Sequence, residues 1–405
     1  MIGRPNWQAA RGMGSTLVLV IVIGAAVCFD FTNGFHDTAN AMATSIATGA
    51  LKPIVAVLIS AALNFLGAFI SIAVATTIAK GIVPSSATAG VDGLAVVEAA
   101  LIGAITWNLI TWYFTIPSSS SHALIGGLIG ASIASVGSGA VSVHGIVQKV
   151  VAPGILAIFV CGFAAFLATS AAYLLIRRLG QEEARRGYRY GQIGSASLVS
   201  LAHGTNDAQK TMGVISLALI STGHLDAAHF YVPVWVKLIC ATAMALGTAS
   251  GGWRIINTMG NRITTVESPQ GFSAESSSAA TILASSYFGY PLSTTQTVSG
   301  GVMGAGLGKR GGVVHWPVVG QMVTAWVITI PSAAVIGGLA WHISDLFGKN
   351  SELGAIVIAA LAAAAAFGLW TLSKRNRVTA EDLDRTNITP ELEAERAAAP
   401  SPVPA

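Results

Sequence analysis

Residues 34–40 read Gly-Phe-His-Asp-Thr-Ala-Asn and residues 204–210 read Gly-Thr-Asn-Asp-Ala-Gln-Lys, so one short polar motif occurs twice in a single chain. Each copy is followed by a proline, a run of hydroxyl residues and paired glycines: Pro-Ser-Ser-Ser-Ser-His-Ala-Leu-Ile-Gly-Gly at 117–127, and Pro-Leu-Ser-Thr-Thr-Gln-Thr-Val-Ser-Gly-Gly at 291–301. Asp37 and Pro117 are 117 − 37 = 80 residues apart, and Asp207 and Pro291 are 291 − 207 = 84 apart. Two motifs duplicated in order and spacing predict two structural repeats.

The composition indicates that these repeats lie in a membrane. Of the 405 residues, 53% are hydrophobic and 10% are charged, and the mean hydropathy is +0.66. An ordinary soluble domain has about 25% charged residues. Apolar runs near the roughly 20 residues needed to cross a bilayer recur along the chain. We predict an all-α integral membrane protein with roughly ten to twelve membrane segments, in which the motif segments are broken or re-entrant helices. Such duplicated broken helices are typical of secondary transporters.

Charge and composition divide the chain into four parts. Residues 1–176 form the predicted first transmembrane repeat, and residues 193–373 form the second. Between them, residues 177–192 contain five arginines and are predicted to be a basic loop, which the positive-inside rule assigns to the cytoplasm. Residues 374–405 are predicted to be a disordered cytoplasmic tail. The net charge of +4 is explained by topology and does not indicate a nucleic-acid partner. An odd number of crossings in each half would make the repeats inverted.

The Asp motif puts carboxylates inside apolar segments. An ionised Asp in the hydrocarbon core costs at least about 3 kcal/mol, so each needs a partner, a cavity or a bound cation. A spacing of three residues puts Asp37 and Asn40 on one helical face, and Asp207 and Lys210 on the matching face. Such a face either coordinates a small cation or pairs a carboxylate with a proton-carrying group. Lys210 either balances the charge of Asp207 or extends its side chain to the membrane surface. The candidate coupling residues are His36, Asp37, Asn40, Asn206, Asp207 and Lys210.

The hydroxyl motif predicts an anion site. Pro117 and Pro291 are expected in the first turn of a helix, where proline is tolerated. Backbone N–H groups at such an end are unsatisfied and carry the positive end of the helix dipole, and hydroxyls add uncharged donors. Two such ends, brought together by the repeats near the membrane midplane, would surround a tetrahedral oxyanion. The candidate substrate-binding residues are Ser118, Ser119, Ser120, Ser121, Ser293, Thr294 and Thr295.

Three more polar residues are candidates. His122 and Gln296 follow the two hydroxyl runs at equivalent positions, where a residue either binds substrate or caps the helix. Glu275 ends the stretch Gln-Gly-Phe-Ser-Ala-Glu at 270–275, and is a candidate for gating or for cation binding. We expect neither a resident metal nor a cofactor.

These motifs resemble those of the inorganic phosphate transporter (PiT) family. The resemblance rests on residues 34–40, on His-Gly-Thr-Asn-Asp-Ala-Gln-Lys at 203–210 and on residues 270–275, and it covers both halves of the chain. Within the family the sequence is similar to the bacterial low-affinity Pit branch. This implies proton-coupled phosphate uptake, often as a neutral metal–phosphate complex. It also implies a bundle of two inverted repeats, commonly dimeric, spanning the bacterial inner membrane many times.

Differences from the family's Asp motif bear on which ion is coupled to transport. Sodium-coupled relatives usually carry Gly-x-Asn-Asp-x-Ala-Asn in both halves, whereas here His36 replaces the first Asn, and Gln209 and Lys210 replace the second Ala-Asn. An amide oxygen binds sodium but takes up no proton, whereas an imidazole titrates at about pH 6.5. We therefore hypothesise that His36 and Asp37 form the proton-carrying pair, with a sodium-coupled phosphate symporter as the alternative.

Other functions fit the same residues less well. A sulfate permease of the same fold is the nearest alternative, because sulfate is also a tetrahedral oxyanion and differs from phosphate chiefly in lacking its proton. A membrane-embedded hydrolase would need a serine with a histidine base approaching from elsewhere, and the chain has no nucleophile-elbow pattern. A channel is disfavoured because repeated broken helices are typical of alternating access. We therefore expect a transporter and not an enzyme.

Overall fold

The structure is a computed structural model that describes residues 7–81, 92–179, 181–349, 351–376 and 378–386. Within these ranges the chain forms helices and connecting turns, and its one isolated β-bridge joins Thr264 to Val314. The predicted all-α class is confirmed.

The two halves contain matching series of helices. The first half has α1 (Trp7–Ala47), α2 (Pro53–Gly67), α3 (Ala73–Gly81), α4 (Asp92–Tyr113), α5 (Ser120–Val136) and α6 (Ala152–Leu179). The second half has α7 (Gln181–Ser221), α8 (Val234–Ser250), α9 (Trp253–Asn261), α10 (Ser268–Tyr287), α11 (Thr294–Gly308) and α12 (Trp316–Asp345). Both series begin with a helix of 41 residues. Two helices follow outside the repeats, α13 (Glu352–Ser373) and α14 (Ala380–Thr386).

Several of these helices are long and apolar enough to cross a membrane. Five described segments satisfy both criteria: Thr16–Ala47, Gly93–Tyr113, Val143–Arg178, Trp316–Asp345 and Glu352–Ser373. The third comprises a short helix, Val143–Ile146, a π-helical turn, Val147–Val151, and most of α6. A sixth span is obtained if α8 and α9, which meet at an angle of 70°, are counted as one broken helix. The remaining segments of the predicted ten to twelve are shorter or more polar helices.

Among the described residues, α8 with α9 is the one broken helix of this kind, whereas α2 and α3 are separate helices joined by residues 68–72. The Asp motifs lie inside the continuous helices α1 and α7, so the prediction that these segments are broken or re-entrant was wrong for them.

The turn before each short helix has the same backbone in both repeats. Thr115 has a φ of 61° and Gly289 has a φ of 76°, and each lies two residues before the motif proline. Left-handed backbone costs glycine little and strains a β-branched residue such as threonine. The turn is thus repeated although only one copy has the residue that favours it.

The halves interlock instead of lying side by side. A Cβ on Gly34 of α1 would lie 2.4 Å from the Met244 carbonyl oxygen of α8, and one on Gly204 of α7 would lie 2.2 Å from the Asn64 carbonyl oxygen of α2. Each long motif helix therefore touches, backbone to backbone, a helix of the other repeat. Only glycine permits so close a contact.

The short helices are exchanged in the same way. A Cβ on Gly130 of α5 would lie 1.8 Å from the Ala334 carbonyl oxygen of α12, and one on Gly304 of α11 would lie 1.9 Å from the Gly162 carbonyl oxygen of α6. Each short helix thus packs on the last long helix of the opposite repeat. The paired glycines of the hydroxyl motifs contribute to the same contacts, since a Cβ on Gly126 would lie 2.5 Å from the Ile330 carbonyl oxygen and one on Gly300 would lie 2.6 Å from the Ile158 carbonyl oxygen.

Two predictions about connecting segments were wrong. Most of the predicted basic loop at 177–192 is helical, because Arg177 and Arg178 lie in the last turn of α6 and α7 begins at Gln181. Hydropathy marks where an apolar segment ends, whereas the glutamate, alanine and arginine residues that follow are good helix formers. The segment remains basic, and its cytoplasmic side stays a prediction.

The predicted disordered tail begins with ordered residues. Residues 374–376 form a 3₁₀ turn, and α14 follows. Thr379 and Asp382 cap α14 reciprocally, since Asp382 N donates to Thr379 Oγ1 and Thr379 N donates to Asp382 Oδ2. Leu383 is buried in the core between the repeats. One local capping box and one buried leucine therefore order this segment, and residues 387–405 lie outside the described residues.

Candidate functional site

The two short helices begin in equivalent ways. Ser119 caps α5 by accepting a hydrogen bond from His122 N at 3.1 Å, and Ser293 caps α11 by accepting one from Gln296 N at 3.3 Å. The motif prolines lie two residues before these caps, outside the helices, so their predicted place in the first turn was wrong. The hydroxyls of the two caps are engaged with their own helices, which leaves the neighbouring hydroxyls to face the site.

Both helix N-termini converge on Asp37 of α1. Its Oδ2 atom accepts hydrogen bonds from Ser120 Oγ at 3.0 Å and from Thr294 Oγ1 at 3.4 Å, one from each repeat. Its Oδ1 atom lies 2.7 Å from His36 Nδ1 and accepts from Thr295 Oγ1 at 3.4 Å. All five side chains are buried. The arrangement brings together, at one carboxylate, the hydroxyl and Asp motifs of the first copy and the hydroxyl motif of the second.

Asn40 connects the same helices. Its Nδ2 atom donates to Thr294 Oγ1 at 3.2 Å and to Thr295 Oγ1 at 3.0 Å. His36 turns its other ring nitrogen, Nε2, towards Ser118 Oγ at 3.4 Å and Thr111 Oγ1 at 3.3 Å. The predicted residues of the first copy therefore form a single connected network of hydroxyls, an imidazole and a carboxylate.

In the second copy a lysine neutralises the carboxylate. Lys210 Nζ lies 2.7 Å from Asp207 Oδ1, and it also donates to Ser121 Oγ at 2.5 Å and to the Leu292 carbonyl oxygen at 2.9 Å. Lys210 is only 1% exposed, so the alternative that its side chain reaches the membrane surface was wrong. A fixed ammonium thus stands between Asp207 and the start of both short helices.

The two copies exchange polar contacts across their interface. Asn33 of α1 donates from Nδ2 to Asp207 Oδ2 at 3.2 Å. His203 of α7, at the equivalent position four residues before its own Asp, has Nε2 at 3.6 Å from Asp207 Oδ2 and 4.0 Å from Asp37 Oδ2. Its Nδ1 atom is 3.1 Å from Asn64 Oδ1. His203 therefore lies between the carboxylates of the two repeats.

Asn33 and Thr111 were not predicted as site residues, and His203 appeared only as the first residue of the stretch 203–210. Asn33 and His203 could have been found by extending the alignment of the motif copies one residue upstream, because each lies four residues before its Asp and so on the same helical face. Thr111 reaches the site from α4, about 75 residues away along the chain, and no local pattern identifies it.

Three of the predicted site residues, Asn206, His122 and Gln296, make their contacts elsewhere than at Asp37. Asn206 donates to Ser286 Oγ at 2.9 Å and to the Tyr290 carbonyl oxygen at 3.3 Å, and so ties α7 to the turn before α11. Gln296 Nε2 lies 3.4 Å from His122 Nδ1, so these equivalent residues meet each other between the two short helices. This contact continues the interface between the repeats.

Glu275 belongs to a separate polar cluster. Its carboxylate accepts hydrogen bonds from Thr44 Oγ1 and Ser195 Oγ, both at 2.6 Å, and from Gln192 Nε2 at 3.2 Å. Thr44 follows Asp37 by two helical turns, which is about 10 Å along α1. The structure therefore does not bring Glu275 to the convergence of the helix ends.

One position near the centre offers ligands for a cation. Among the described residues, ligand atoms of Asp37, His203 and Asp207 all lie within 4.8 Å of one another. Two carboxylates and an imidazole can hold a small cation, or share a proton between repeats. Anionic groups beside helix N-termini also mean that an anion entering the site needs an accompanying positive charge.

This geometry agrees with what the chain resembles. Residues 33–337 match the model of the phosphate transporter family. The chain belongs to the phosphate transporter family. The matched region contains both Asp motifs and both hydroxyl motifs, and therefore the whole site described above. The family assignment made from the motifs is confirmed, and so is the expectation of a transporter and not an enzyme.

Relatives in the phosphate transporter family cover nearly the whole chain. A protein of Mycobacterium bovis, named a probable low-affinity inorganic phosphate transporter, is 50% identical over 376 residues, which are 93% of this chain and 88% of that protein. A protein of the same name from Bacillus subtilis is 42% identical over 330 residues, or 82% of this chain and 98% of its own length. A solved structure of a protein named the sodium-dependent phosphate transporter matches with a TM-score of 0.71 at 24% identity, covering 81% of this chain and 99% of that one. This last likeness confirms the fold alone.

Proposed function

We propose that the chain imports inorganic phosphate by proton symport, with the anion bound between the N-termini of α5 and α11. The observation that carries this proposal is the convergence of Ser120 and Thr294, from different repeats, on one oxygen of Asp37. Hydroxyls and free N–H groups at two positive helix ends suit an oxyanion. The substrate-binding residues in this proposal are Ser118, Ser120, Ser121, Thr294 and Thr295, with Ser119 and Ser293 as their caps.

Charge supports coupling to a cation. Phosphate enters a site that already holds the carboxylates of Asp37 and Asp207, and one buried ammonium, that of Lys210, offsets only one of them. Adding an anion without a cation would leave net negative charge in a poorly solvated site, which is costly. Transport of phosphate together with a cation avoids that cost.

The fixed ammonium favours a proton over sodium. Lys210 lies 2.7 Å from Asp207 Oδ1 and already supplies a positive charge there, whereas the equivalent residue of the first copy, Asn40, is a neutral amide. His36, bonded to Asp37 at 2.7 Å, supplies a group able to bind and release a proton. Sodium coupling is the alternative, suggested by the name of the protein in the related solved structure. We also propose a bacterial cell-membrane location and a homodimer.

Radiolabelled phosphate uptake into proteoliposomes tests the proposal. We expect accumulation when a proton gradient is imposed in sodium-free buffer, collapse with an uncoupler, and no stimulation by sodium. Accumulation driven by sodium alone would assign the coupling to sodium. Repeating the measurement with and without Mg²⁺ shows whether a metal accompanies the anion.

His36→Asn should flatten the dependence of uptake on pH. The amide keeps a polar group next to Asp37 but takes up no proton, so any pH dependence of uptake that originates from this pair should be lost. The groups facing His36 are Asp37, Thr111 and Ser118, with His203 beyond Asp37. Uptake rates between pH 5 and 8 measure the effect, and His229→Asn, at an exposed histidine, serves as the control. A His36→Asn profile identical in shape to that of the wild type would exclude this pair.

The site should prefer phosphate to sulfate. Near neutral pH phosphate keeps at least one proton, which can be donated to the Asp37 carboxylate, whereas sulfate has none and would face that carboxylate unpaired. Sites that bind a substrate proton in this way can reject the analogue lacking it by about 10⁴-fold. In a counterflow assay with labelled phosphate outside the proteoliposomes, excess unlabelled phosphate added outside should suppress uptake of the label. The same concentration of sulfate should lower that uptake by at most about a tenth. Equal displacement by the two anions would favour a sulfate carrier.

A further inference from the structure

A groove opens beside α13, a helix long and apolar enough to cross a membrane, and none of the site residues described above lines it. Its cavity volume is about 1100 Å³, and it lies between α1, α4, the break between α8 and α9, and α13. The wall formed by α13 is made mostly of alanines, so this helix outside the repeats leaves open space where larger side chains would close it.

The groove is apolar along its length and basic at one end. Its apolar part is lined by side chains such as Ile21, Ile102 and Ala363, whereas Arg254 and Lys374 lie at the other end. The described residues that line it include these two cations and no acidic residue. The lining therefore combines a hydrocarbon-like channel with a site for negative charge.

Both basic groups are positioned by aromatic rings. The Arg254 guanidinium carbon lies 5.6 Å from the ring centre of Trp112, and Nη1 donates to the Tyr113 carbonyl oxygen at 2.8 Å. Lys374 Nζ lies 3.6 Å from the ring centre of Trp370, which lines the groove and is half exposed. Cation–π contacts orient both cations, and a carbonyl oxygen also holds Arg254. Lys374 is exposed and can therefore meet an anion at this end of the groove.

The dimensions fit one leaflet. The lining residues from Ala359 of α13 to its C-cap Lys374 extend about 22 Å along a helix, which matches the roughly 20 to 22 Å of one leaflet with its headgroup region. The basic end lies at the C-terminus of α13, which the positive-inside rule assigns to the cytoplasmic leaflet. That leaflet contains the anionic lipids of a cell membrane.

We propose that this groove binds an anionic glycerophospholipid. The lipid phosphate lies against Arg254 and Lys374, and an acyl chain lies between α1 and α13 along the alanine wall. Charge complementarity selects this occupant, because a zwitterionic lipid or an apolar helix of a second copy would leave the basic end without an anion. The proposal is independent of which anion the protein transports.

Native mass spectrometry after reconstitution in equal amounts of phosphatidylglycerol and phosphatidylcholine tests it. We expect the purified protein to retain phosphatidylglycerol preferentially. Lys374→Gln should lower that preference about fivefold, the effect of one basic residue at a membrane surface, whereas Lys349→Gln, at an exposed lysine outside the groove, should not. Ala363→Trp should fill the groove and abolish retention, and Ala365→Trp, on the exposed part of α13 outside the lining, is its matched control.

Several results would overturn the inference. Equal retention of the two lipids by the wild type would remove the basis for charge selection. Equal retention in Ala363→Trp and Ala365→Trp would place the bound lipid elsewhere. A change from dimer to monomer in Ala363→Trp alone, measured by the mass of the complex without added lipid, would show that a second copy occupies the groove instead.

Discussion

Asp37→Asn is expected to abolish phosphate uptake. The amide has the shape of the carboxylate but loses its charge and turns one acceptor into a donor. An amide oxygen in place of Oδ2 can still accept from Ser120 and Thr294, but without the charge that strengthens those bonds. The amide nitrogen in place of Oδ1 can no longer accept from Thr295 or from His36. A hydrogen bond to a charged group contributes about 1.5 to 3 kcal/mol, and losing two would cost at least about 3 kcal/mol, or about a hundredfold in rate. Initial uptake of radiolabelled phosphate into proteoliposomes measures this.

The matched control is Asp226→Asn. Asp226 is exposed and pairs with His229 outside the site, so its substitution should leave uptake within about twofold of the wild type, as is usual for surface changes. Both variants should elute as monodisperse protein in size-exclusion chromatography, which separates loss of transport from loss of folding. Uptake by Asp37→Asn equal to that of Asp226→Asn would show that the helix ends do not depend on this carboxylate.

Gly130→Ala should destabilise the protein and lower its transport together. The added methyl would lie 1.8 Å from the Ala334 carbonyl oxygen, so the backbones of α5 and α12 must separate. Overpacking of this kind costs about 1 to 3 kcal/mol. Because α5 carries the donors Ser120 and Ser121, its displacement also moves the anion site. Thermal unfolding in detergent should show a lower midpoint, and the same preparation should show slower uptake.

Gly320→Ala provides the comparison. Gly320 lies in α12, the same helix that Gly130 packs against, and a Cβ there would meet nothing within 4 Å. Replacing an unpacked helical glycine by alanine should be neutral or slightly stabilising. Equal midpoints for the two variants would mean that the close contact is not needed for the fold.

Much of the site was predictable because its chemistry is local. A serine cap followed by hydroxyls forms a helix N-terminus wherever the chain places it, and its duplication predicts that two such ends meet. The side chains of Ser120, Thr294 and Asp37 are accordingly found together. The repeats and the half-helices followed from the same spacing.

The contacts between copies were not predictable in the same way. His203 reaches Asp37 from a helix about 170 residues away, and Glu275 lies near the Asp motif in space without joining it. Such pairings depend on how α1, α7 and α10 cross, which periodicity does not specify. The ends of the helices were equally difficult to predict from the sequence, because α7 includes polar residues that hydropathy assigns to a loop.

The exchange of short helices between repeats determines what can move. Because α5 packs closely on α12, and α11 on α6, we expect each of these pairs, which combines helices from both halves of the chain, to move as one body. Neither half of the sequence is a mechanical unit, and we expect the two halves, expressed as separate polypeptides, to require each other for folding.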